Sequence, residues 1–279
     1  MRFLHLPIHV TPDQCGHECV HQDADLTAYL LDTVDGLHHS RPAIVVCPGG
    51  GYARLSERED QPIAMEYLAA GYQVFCLHYS CGPDVFPRSL MELALAVKMI
   101  RENASEWNVN PDKIAVMGFS AGGHLACSLG TFYNREFLLS GLGVTKEEIA
   151  PNALILCYPV ITSGPFCHAG SFEQLLGSQS NDPEKRELVS LERQTGSHMP
   201  PVFLWHTWTD QSVPVENSLL LASALRASGV NVELHIYPMG KHGLSLATEE
   251  VAQADGSSYL PYVQGWMDLS KQWLKRTFG

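Results

Sequence analysis

"KIAVMGFSAGGHLA", residues 113–126, is the stretch of sequence that decides the fold of this chain. An apolar run ends at Phe119, Ser120 follows between glycines at 118 and 122, and a helical pattern begins at Ala121. A serine on a sharp turn between a strand and a helix is held away from the sheet, and small neighbours let other backbone pass close by. A plain Gly-Ser turn would match the same letters, but the strand before it and the helix after it favour a nucleophile at Ser120.

The rest of the chain alternates short β-rich runs with helical patterns, without repeats or linkers. This alternation implies right-handed crossovers, and therefore an α/β fold with a mostly parallel central sheet and helices on both faces. We read residues 1–279 as a single domain, with functional side chains outside the carboxyl ends of the strands. Strands are predicted over 3–10, 26–32, 42–48, 72–79, 113–119, 153–160, 201–207 and 232–238, and helices over 60–70, 87–105, 121–133, 214–228 and 258–277.

The charge balance narrows the classes of partner. The chain has 18 Lys and Arg against 30 Asp and Glu, a net charge of −12, which argues against a nucleic acid or an anionic membrane. No apolar run approaches the length of a membrane span, and the first residues lack an apolar leader segment, so we expect a cytoplasmic protein. Several of the eight cysteines lie in apolar runs, which predicts free thiols.

A serine nucleophile needs a base and a group that orients the base. On this architecture they follow in the order serine, acid, histidine, each in the loop after a later strand. Asp210 follows the predicted strand 201–207, and His242 follows the predicted strand 232–238 in a loop with flanking glycine. We therefore predict that His242 takes the proton of Ser120 and that Asp210 orients His242.

Other residues compete for these two roles. His124 lies on the helix one turn after Ser120, and His206 precedes the acid on the same strand end. Glu216 falls inside the helical pattern after Pro214, and Asp182 has no core strand before it. Their positions disfavour all four.

The attacked carbonyl oxygen needs donors when it becomes an oxyanion. "VVCPGGGYARLS" (45–56) supplies three glycines after an early strand, so we expect the N–H of Gly50 or Gly51 to act together with that of Ala121. A nucleotide cradle is disfavoured because no Gly-x-Gly-x-x-Gly spacing and no following Lys-Ser or Lys-Thr is present. We expect no cofactor.

The N-terminal region is rich in metal-ligand residue types. However, "CGHEC" (15–19) has no second pair to complete a tetrahedral set, so we expect no metal site. The residues concerned are His5, His9, Cys15, His17, Cys19 and His21.

With these motifs in place, the chain resembles the α/β-hydrolase superfamily over nearly its whole length. Within it, "CPGGGYARLSEREDQPIA" (47–64), "GFSAGGHLA" (118–126) and "KHGLSLA" (241–247) are similar to acetyl-xylan or sugar acetyl esterases, which are related to the hormone-sensitive-lipase-like group. The resemblance implies a triad of Ser120, Asp210 and His242. At the position of Pro48 the lipase-like relatives carry histidine. The acetyl-esterase-like relatives carry proline there, as this chain does.

Substrate choice depends on the segment between two core strands, residues 159–199. It is short and polar, and we expect it to form a lid over Ser120. It predicts a small acyl group, acetyl in particular, on a polar alcohol such as a xylo-oligosaccharide. Aromatic residues near the predicted site would stack on a sugar or border the acyl pocket, or would simply pack in the core. They are Tyr52, Tyr79, Phe119 and Trp208.

Two rival activities use the same triad: an arylformamidase-like amidase, and a small serine peptidase related to prolyl oligopeptidase, although the chain has no room for the propeller of the latter. A binding protein without activity would be expected to have lost a triad member. For a homodimer the chain offers a sheet edge or the C-terminal helix with Trp266 and Trp273, which would alternatively pack on the sheet.

Overall fold

The computed structural model describes residues 1–16, 24–33 and 40–279. Its strands are β1 (Arg2–Ile8), β2 (Ala24–Leu30), β3 (Arg41–Cys47), β4 (Gln73–His78), β5 (Val109–Phe119), β6 (Ala153–Cys157), β7 (Val202–Thr207) and β8 (Val232–Tyr237). Its helices are α1 (Pro12–Cys15), α2 (Gln61–Ala69), α3 (Arg88–Glu102), α4 (Ala121–Phe132), α5 (Glu136–Leu142), α6 (Lys146–Ile149), α7 (Ala169–Leu176), α8 (Pro183–Leu188), α9 (Glu216–Ala227) and α10 (Trp266–Phe278). Short 3₁₀ turns cover Glu57–Glu59, Gly177–Gln179 and Leu191–Arg193.

The strands form one sheet in the order β1-β2-β4-β3-β5-β6-β7-β8. The pairs of β2 with β1 and with β4 are antiparallel, and every pair from β4 to β8 is parallel. This confirms the predicted α/β fold with a mostly parallel sheet. The carboxyl ends of β5, β7 and β8 therefore lie at one edge of the sheet, where the predicted site residues follow them.

Each central strand is buried on both faces. Along β3, Ala43, Val45 and Cys47 point into one apolar core, while Ile44 and Val46 point into the other. A strand that is covered on both faces has a continuous apolar sequence instead of an alternating one. This explains the unbroken apolar run at 42–48.

The predicted helix over 258–277 is wrong for its first part, since α10 begins at Trp266. Before it the backbone bonds span only three residues, as from the N–H of Val263 to the carbonyl of Leu260, which describes turns. Pro261 has no N–H to continue a helical ladder. The helices α7 and α8 within 159–199 have no counterpart among the predicted elements.

The tryptophans of α10 pack on the sheet. Trp266 stacks on Trp205 of β7 with ring centroids 5.1 Å apart, and Trp273 lies 5.8 Å from Phe203. Both tryptophans are buried in the chain itself, so they do not argue for a dimer, and the homodimer stays a prediction.

The described part of the chain also bears on the cysteines, on membrane spans and on metal ligands. The cysteines described there are free thiols, and none of the described helices is long and apolar enough to cross a membrane. No group of three potential metal ligands occurs among the residues described. His17, Cys19 and His21 lie outside them.

Candidate active site

Ser120 occupies a strained turn between β5 and α4. Its backbone has φ 53° and ψ −119°, a conformation that costs a non-glycine residue on the order of 1–3 kcal/mol. Two hydrogen bonds hold the turn to the neighbouring segment: Ser120 N–H donates to Cys157 O at 3.0 Å, and Val160 N–H donates to Ser120 O at 3.0 Å. The strain is thus sustained by the segment at the end of β6.

The glycines on either side of Ser120 permit close backbone contact. A Cβ on Gly118 would lie 2.0 Å from the carbonyl oxygen of Gly122, and one on Gly122 would lie 2.1 Å from that of Cys47. Neither neighbour is a flexible side chain that can move aside. The Gly-x-Ser-x-Gly pattern is therefore a steric requirement of packing α4 against β3 and β5.

The structure brings the three predicted triad residues into one hydrogen-bonded series. His242 Nε2 lies 2.7 Å from Ser120 Oγ, and His242 Nδ1 lies 2.6 Å from Asp210 Oδ2. Asp210 follows β7 and His242 follows β8, so the parallel register of these strands sets the spacing. The side chain of Asp210 is fully buried, whereas that of His242 keeps 20% of its surface exposed, toward the cleft it lines.

The carboxylate of Asp210 is surrounded by donors. Its Oδ1 accepts from the N–H groups of Ser212 and Val213, both at 3.0 Å. His206 Nε2 lies 3.3 Å from Oδ2. Burial alone raises the pKa of Asp210, but the hydrogen bonds from His206 and His242 and the Val213 N–H outweigh it and hold the pKa well below its usual value. Asp210 is therefore ionised at neutral pH.

His206 and His124, the competing histidines, are both buried structural residues. His206 is held by Ser218 Oγ at 2.7 Å and Val213 O at 2.9 Å while it faces Asp210. Burial lowers the pKa of His124 to about 4, and its Nε2 donates to Val189 O at 2.9 Å. His206 supports the acid, a contact that sequence reasoning missed.

The triple-glycine loop lies beside Ser120. The N–H of Gly49 donates to Glu59 Oε2 at 2.9 Å, but no hydrogen bond among the described residues occupies the N–H of Gly50, Gly51 or Ala121. Gly50 and Gly51 have φ 131° and 68°, which favour glycine. The predicted oxyanion donors are thus unoccupied and next to the serine; which glycine acts stays open.

Glu59 and Tyr158 connect the glycine loop to the histidine loop, and sequence reasoning missed both. Tyr158 O–H donates to Glu59 Oε1 at 2.6 Å and accepts from Ser245 N–H at 2.8 Å. Its ring lies 5.2 Å from that of His242. Burial, reinforced by the charge of Glu59, raises the pKa of Tyr158 well above its usual value, so its hydroxyl stays a donor.

A cleft of about 440 Å³ opens over these groups. Ser120, His242, Gly50 and Gly51 line it, and most other lining side chains are polar. They are Arg54, Ser56, Arg58, Glu59, His168, Gln174, Ser212 and Gln253.

Part of the cleft wall comes from 159–199, through His168, Gly170 and Gln174. The buried Asn217 of α9 anchors the start of this segment. Its Oδ1 accepts from Ile161 N–H and Thr162 N–H at 2.9 and 3.0 Å, and its Nδ2 donates to Phe166 O at 2.9 Å. The segment therefore has a fixed base beside the triad.

Of the two predicted roles of the aromatic residues, substrate contact or core packing, the structure supports packing for three of them, and none of the four lines the cleft. Tyr52, Tyr79 and Phe119 are at most 2% exposed and pack in the core. The hydroxyl of Tyr52 pairs with His124 Nδ1 at 2.9 Å, and that of Tyr79 donates to Pro48 O at 2.6 Å. Trp208 is 60% exposed but lies outside the cleft.

The chain is similar in sequence to several known proteins. The sequence profile of the BD-FAE family matches residues 33–225. The chain is 38% identical to endo-1,4-beta-xylanase B of Butyrivibrio fibrisolvens and 33% identical to an acetylxylan esterase of Xylanibacter ruminicola, over 75% and 74% of its own length. It spans only 33% and 42% of those two relatives.

A solved structure also matches: the acetyl ester-xyloside bifunctional hydrolase of Caldicellulosiruptor lactoaceticus, at 37% identity and a TM-score of 0.79. The match covers 91% of this chain and 88% of that one. The likeness thus extends to nearly the whole described fold.

Proposed function

Because this chain belongs to the BD-FAE family of α/β-hydrolases, we propose that it is a serine esterase that removes acetyl groups from carbohydrates such as xylo-oligosaccharides. The observation that carries the proposal is the hydrogen-bonded series from Ser120 through His242 to Asp210, which opens into a polar cleft. The names of the relatives point to ester substrates on xylan-type sugars. They favour an esterase over an amidase or a peptidase.

In the proposed mechanism Ser120 Oγ attacks the ester carbonyl while His242 Nε2 takes its proton. The ionised Asp210 holds the His242 proton on Nδ1 and stabilises the imidazolium that forms. The oxyanion receives hydrogen bonds from Ala121 N–H and from Gly50 or Gly51 N–H. His242 then protonates the leaving alcohol, and the C–O bond to that alcohol breaks.

The acetyl group remains on Ser120 as an ester. Water enters, gives a proton to His242 and attacks the acyl carbon; collapse returns the proton to Ser120 Oγ and releases acetate. Segment 159–199 acts as the lid of this single domain, and its polar wall suits a sugar alcohol better than a long acyl chain. A cytoplasmic location stays a prediction.

The test measures acetate release from acetylated xylo-oligosaccharides, with p-nitrophenyl acetate and a longer-chain ester alongside. Ser120→Ala should abolish turnover of all three, while Ser212→Ala, a change in the same cleft outside the triad, should retain turnover of p-nitrophenyl acetate. Wild type should prefer the acetylated sugars to the longer ester. Full activity in Ser120→Ala would overturn the mechanism, and wild type that ignores the sugars would overturn the substrate class.

A further inference from the structure

Two arginines line the cleft that contains Ser120, in a chain whose net charge is −12. They are Arg54, which is exposed, and Arg58, which is half-buried. Among the described residues neither guanidinium has an acidic side chain within ion-pair distance. Both oxygens of Glu59, the acidic residue that lines the cleft with them, already accept hydrogen bonds from Gly49 and Tyr158.

Arg54 lies directly beside the glycine loop. Its N–H donates to Gly50 O at 3.3 Å, and its Cγ would lie 3.3 Å from a Cβ placed on Gly50. Its side chain makes no hydrogen bond to any described residue, so the guanidinium is free to meet a ligand in the cleft.

The guanidinium of Arg58 is held in place by two backbone carbonyl oxygens. Its Nε donates to Val251 O and its Nη1 donates to Gly243 O at 2.9 Å, next to His242. Its Nη2 is buried and has no hydrogen-bond partner among the described residues. Arg58 therefore contributes a fixed positive charge to the cleft wall, while its buried Nη2 is not a free donor for a ligand.

His168, which lines the cleft from segment 159–199, does not add to the positive charge of the two arginines. It is partly buried, and burial, followed by the nearby His242, lowers the pKa of its imidazole. The positive charges that line the cleft are therefore those of the two arginines, next to a Glu59 carboxylate whose oxygens already accept from Gly49 and Tyr158. Arginine matches a carboxylate because its planar fork offers paired donors.

From these contacts we infer that the cleft binds a carboxylate on the alcohol part of the substrate, so that acetylated uronic-acid-containing sugars are favoured over neutral ones. The inference rests on the proposed function, which assigns acetyl to the acyl side and leaves the charge to the alcohol. The carboxylate binds Arg54, with Arg58 as the second cation beside it.

The test uses a matched pair of substrates: an acetylated methyl glucuronoside with a free carboxylate, and the same compound as its neutral carboxamide. For wild type at low salt, kcat/KM should be about tenfold higher for the carboxylate, since a well-placed charged pair is worth about 1.4 kcal/mol. Salt near 0.5 M should shrink this ratio towards one, because the Debye length falls to about 4 Å and Arg54 is exposed to solvent.

Arg54→Gln should lower the ratio about tenfold, and Arg54→Glu should bring it below one, since it places a like charge at the same position. Arg226→Gln removes an exposed arginine of α9 outside the cleft and should leave the ratio at its wild-type value. As a second readout, deacetylated methyl glucuronoside should inhibit hydrolysis of p-nitrophenyl acetate competitively, and more weakly in Arg54→Gln.

Equal kcat/KM for carboxylate and carboxamide at low salt, together with acetate release from both, would overturn this inference and leave the proposed function standing. A preference that Arg54→Gln and Arg226→Gln change equally would also overturn it. Failure to release acetate from either compound and from acetylated xylo-oligosaccharides would overturn the proposed function, and the inference with it.

Discussion

Glu59→Gln tests whether the buried carboxylate between the glycine loop and the histidine loop positions the catalytic groups. Glu59 accepts from Gly49 N–H at 2.9 Å and from Tyr158 O–H at 2.6 Å. A glutamine has one carbonyl oxygen, so its NH₂ group must face one of these two donors. If Tyr158 rotates to accept from that NH₂ group, its own O–H is left without an acceptor, because its oxygen already faces Ser245 N–H.

Either arrangement leaves one buried donor unsatisfied and weakens the bond that remains. A buried donor without a partner costs about 1–3 kcal/mol, so we expect a loss of about 2 kcal/mol in the free energy of unfolding. In a chain of 279 residues that is a fall in Tm of about 3 °C. Glu57→Gln, a change at an exposed neighbour on the same 3₁₀ turn, is the control and should stay within about 0.5 kcal/mol of wild type.

The kinetic effect should appear in kcat. Gly49 precedes the two glycines that would bind the oxyanion, and that contact strengthens only in the transition state. We expect kcat for p-nitrophenyl acetate to fall at least about tenfold with KM nearly unchanged, measured well below Tm and corrected for the fraction of active enzyme. If Glu59→Gln loses stability but keeps the kcat of Glu57→Gln, Glu59 has no positioning role.

Three further predictions concern single residues around the nucleophile. Gly122→Ala should cost more than about 3 kcal/mol in urea unfolding, because its Cβ would lie 2.1 Å from a carbonyl oxygen, while Gly265→Ala, with nothing within 4 Å, should cost under about 1 kcal/mol; equal costs would contradict the steric argument. Burial lowers the pKa of His124 from 6.5 to about 4, so the unfolded chain takes up the proton at a higher pH than the folded chain does. The neutral His124 therefore stabilises the fold fully above pH 6.5, and this stabilisation is lost as the pH falls to about 4. His124→Asn should therefore remove about 3 kcal/mol of pH dependence across that window in unfolding titrations, and an unchanged slope would refute the assignment. Asp210→Asn should lower kcat by about 10³-fold or more, because its NH₂ group would face His242 Nδ1 and leave the wrong tautomer towards the serine; a loss under about tenfold would contradict that role.

The arrangement of the candidate triad was predictable because it depends on order and local pattern. Ser120, Asp210 and His242 each follow a recognisable apolar run, and a parallel sheet brings the ends of such runs to one edge. The steric need for glycine at 122 follows from the same strand–turn–helix junction.

The contacts that support these groups were not predictable, because they join residues distant in sequence. Glu59 meets Tyr158 across 99 positions, and no local pattern marks either one. For the aromatic residues the sequence indicates nearness to a strand end but not the direction of the ring, so it leaves both substrate contact and core packing open for Tyr52 and Tyr79, which pack in the core. Residues 258–265 were wrongly predicted as helix because the hydrophobic spacing continues through them, while Pro261 has no N–H for a helical hydrogen bond.

The base formed by Asn217 also has a consequence for how this scaffold diversifies. The amide of Asn217 secures the chain up to Phe166, and the residues of the segment that line the cleft come after that point. Variation between 167 and 199 therefore remodels one wall of the cleft without passing through the strand ends that carry Ser120, Asp210 and His242. A chimaera that exchanges 167–199 with a relative should therefore change the side chains of one cleft wall, while it keeps the strand ends that carry the candidate triad.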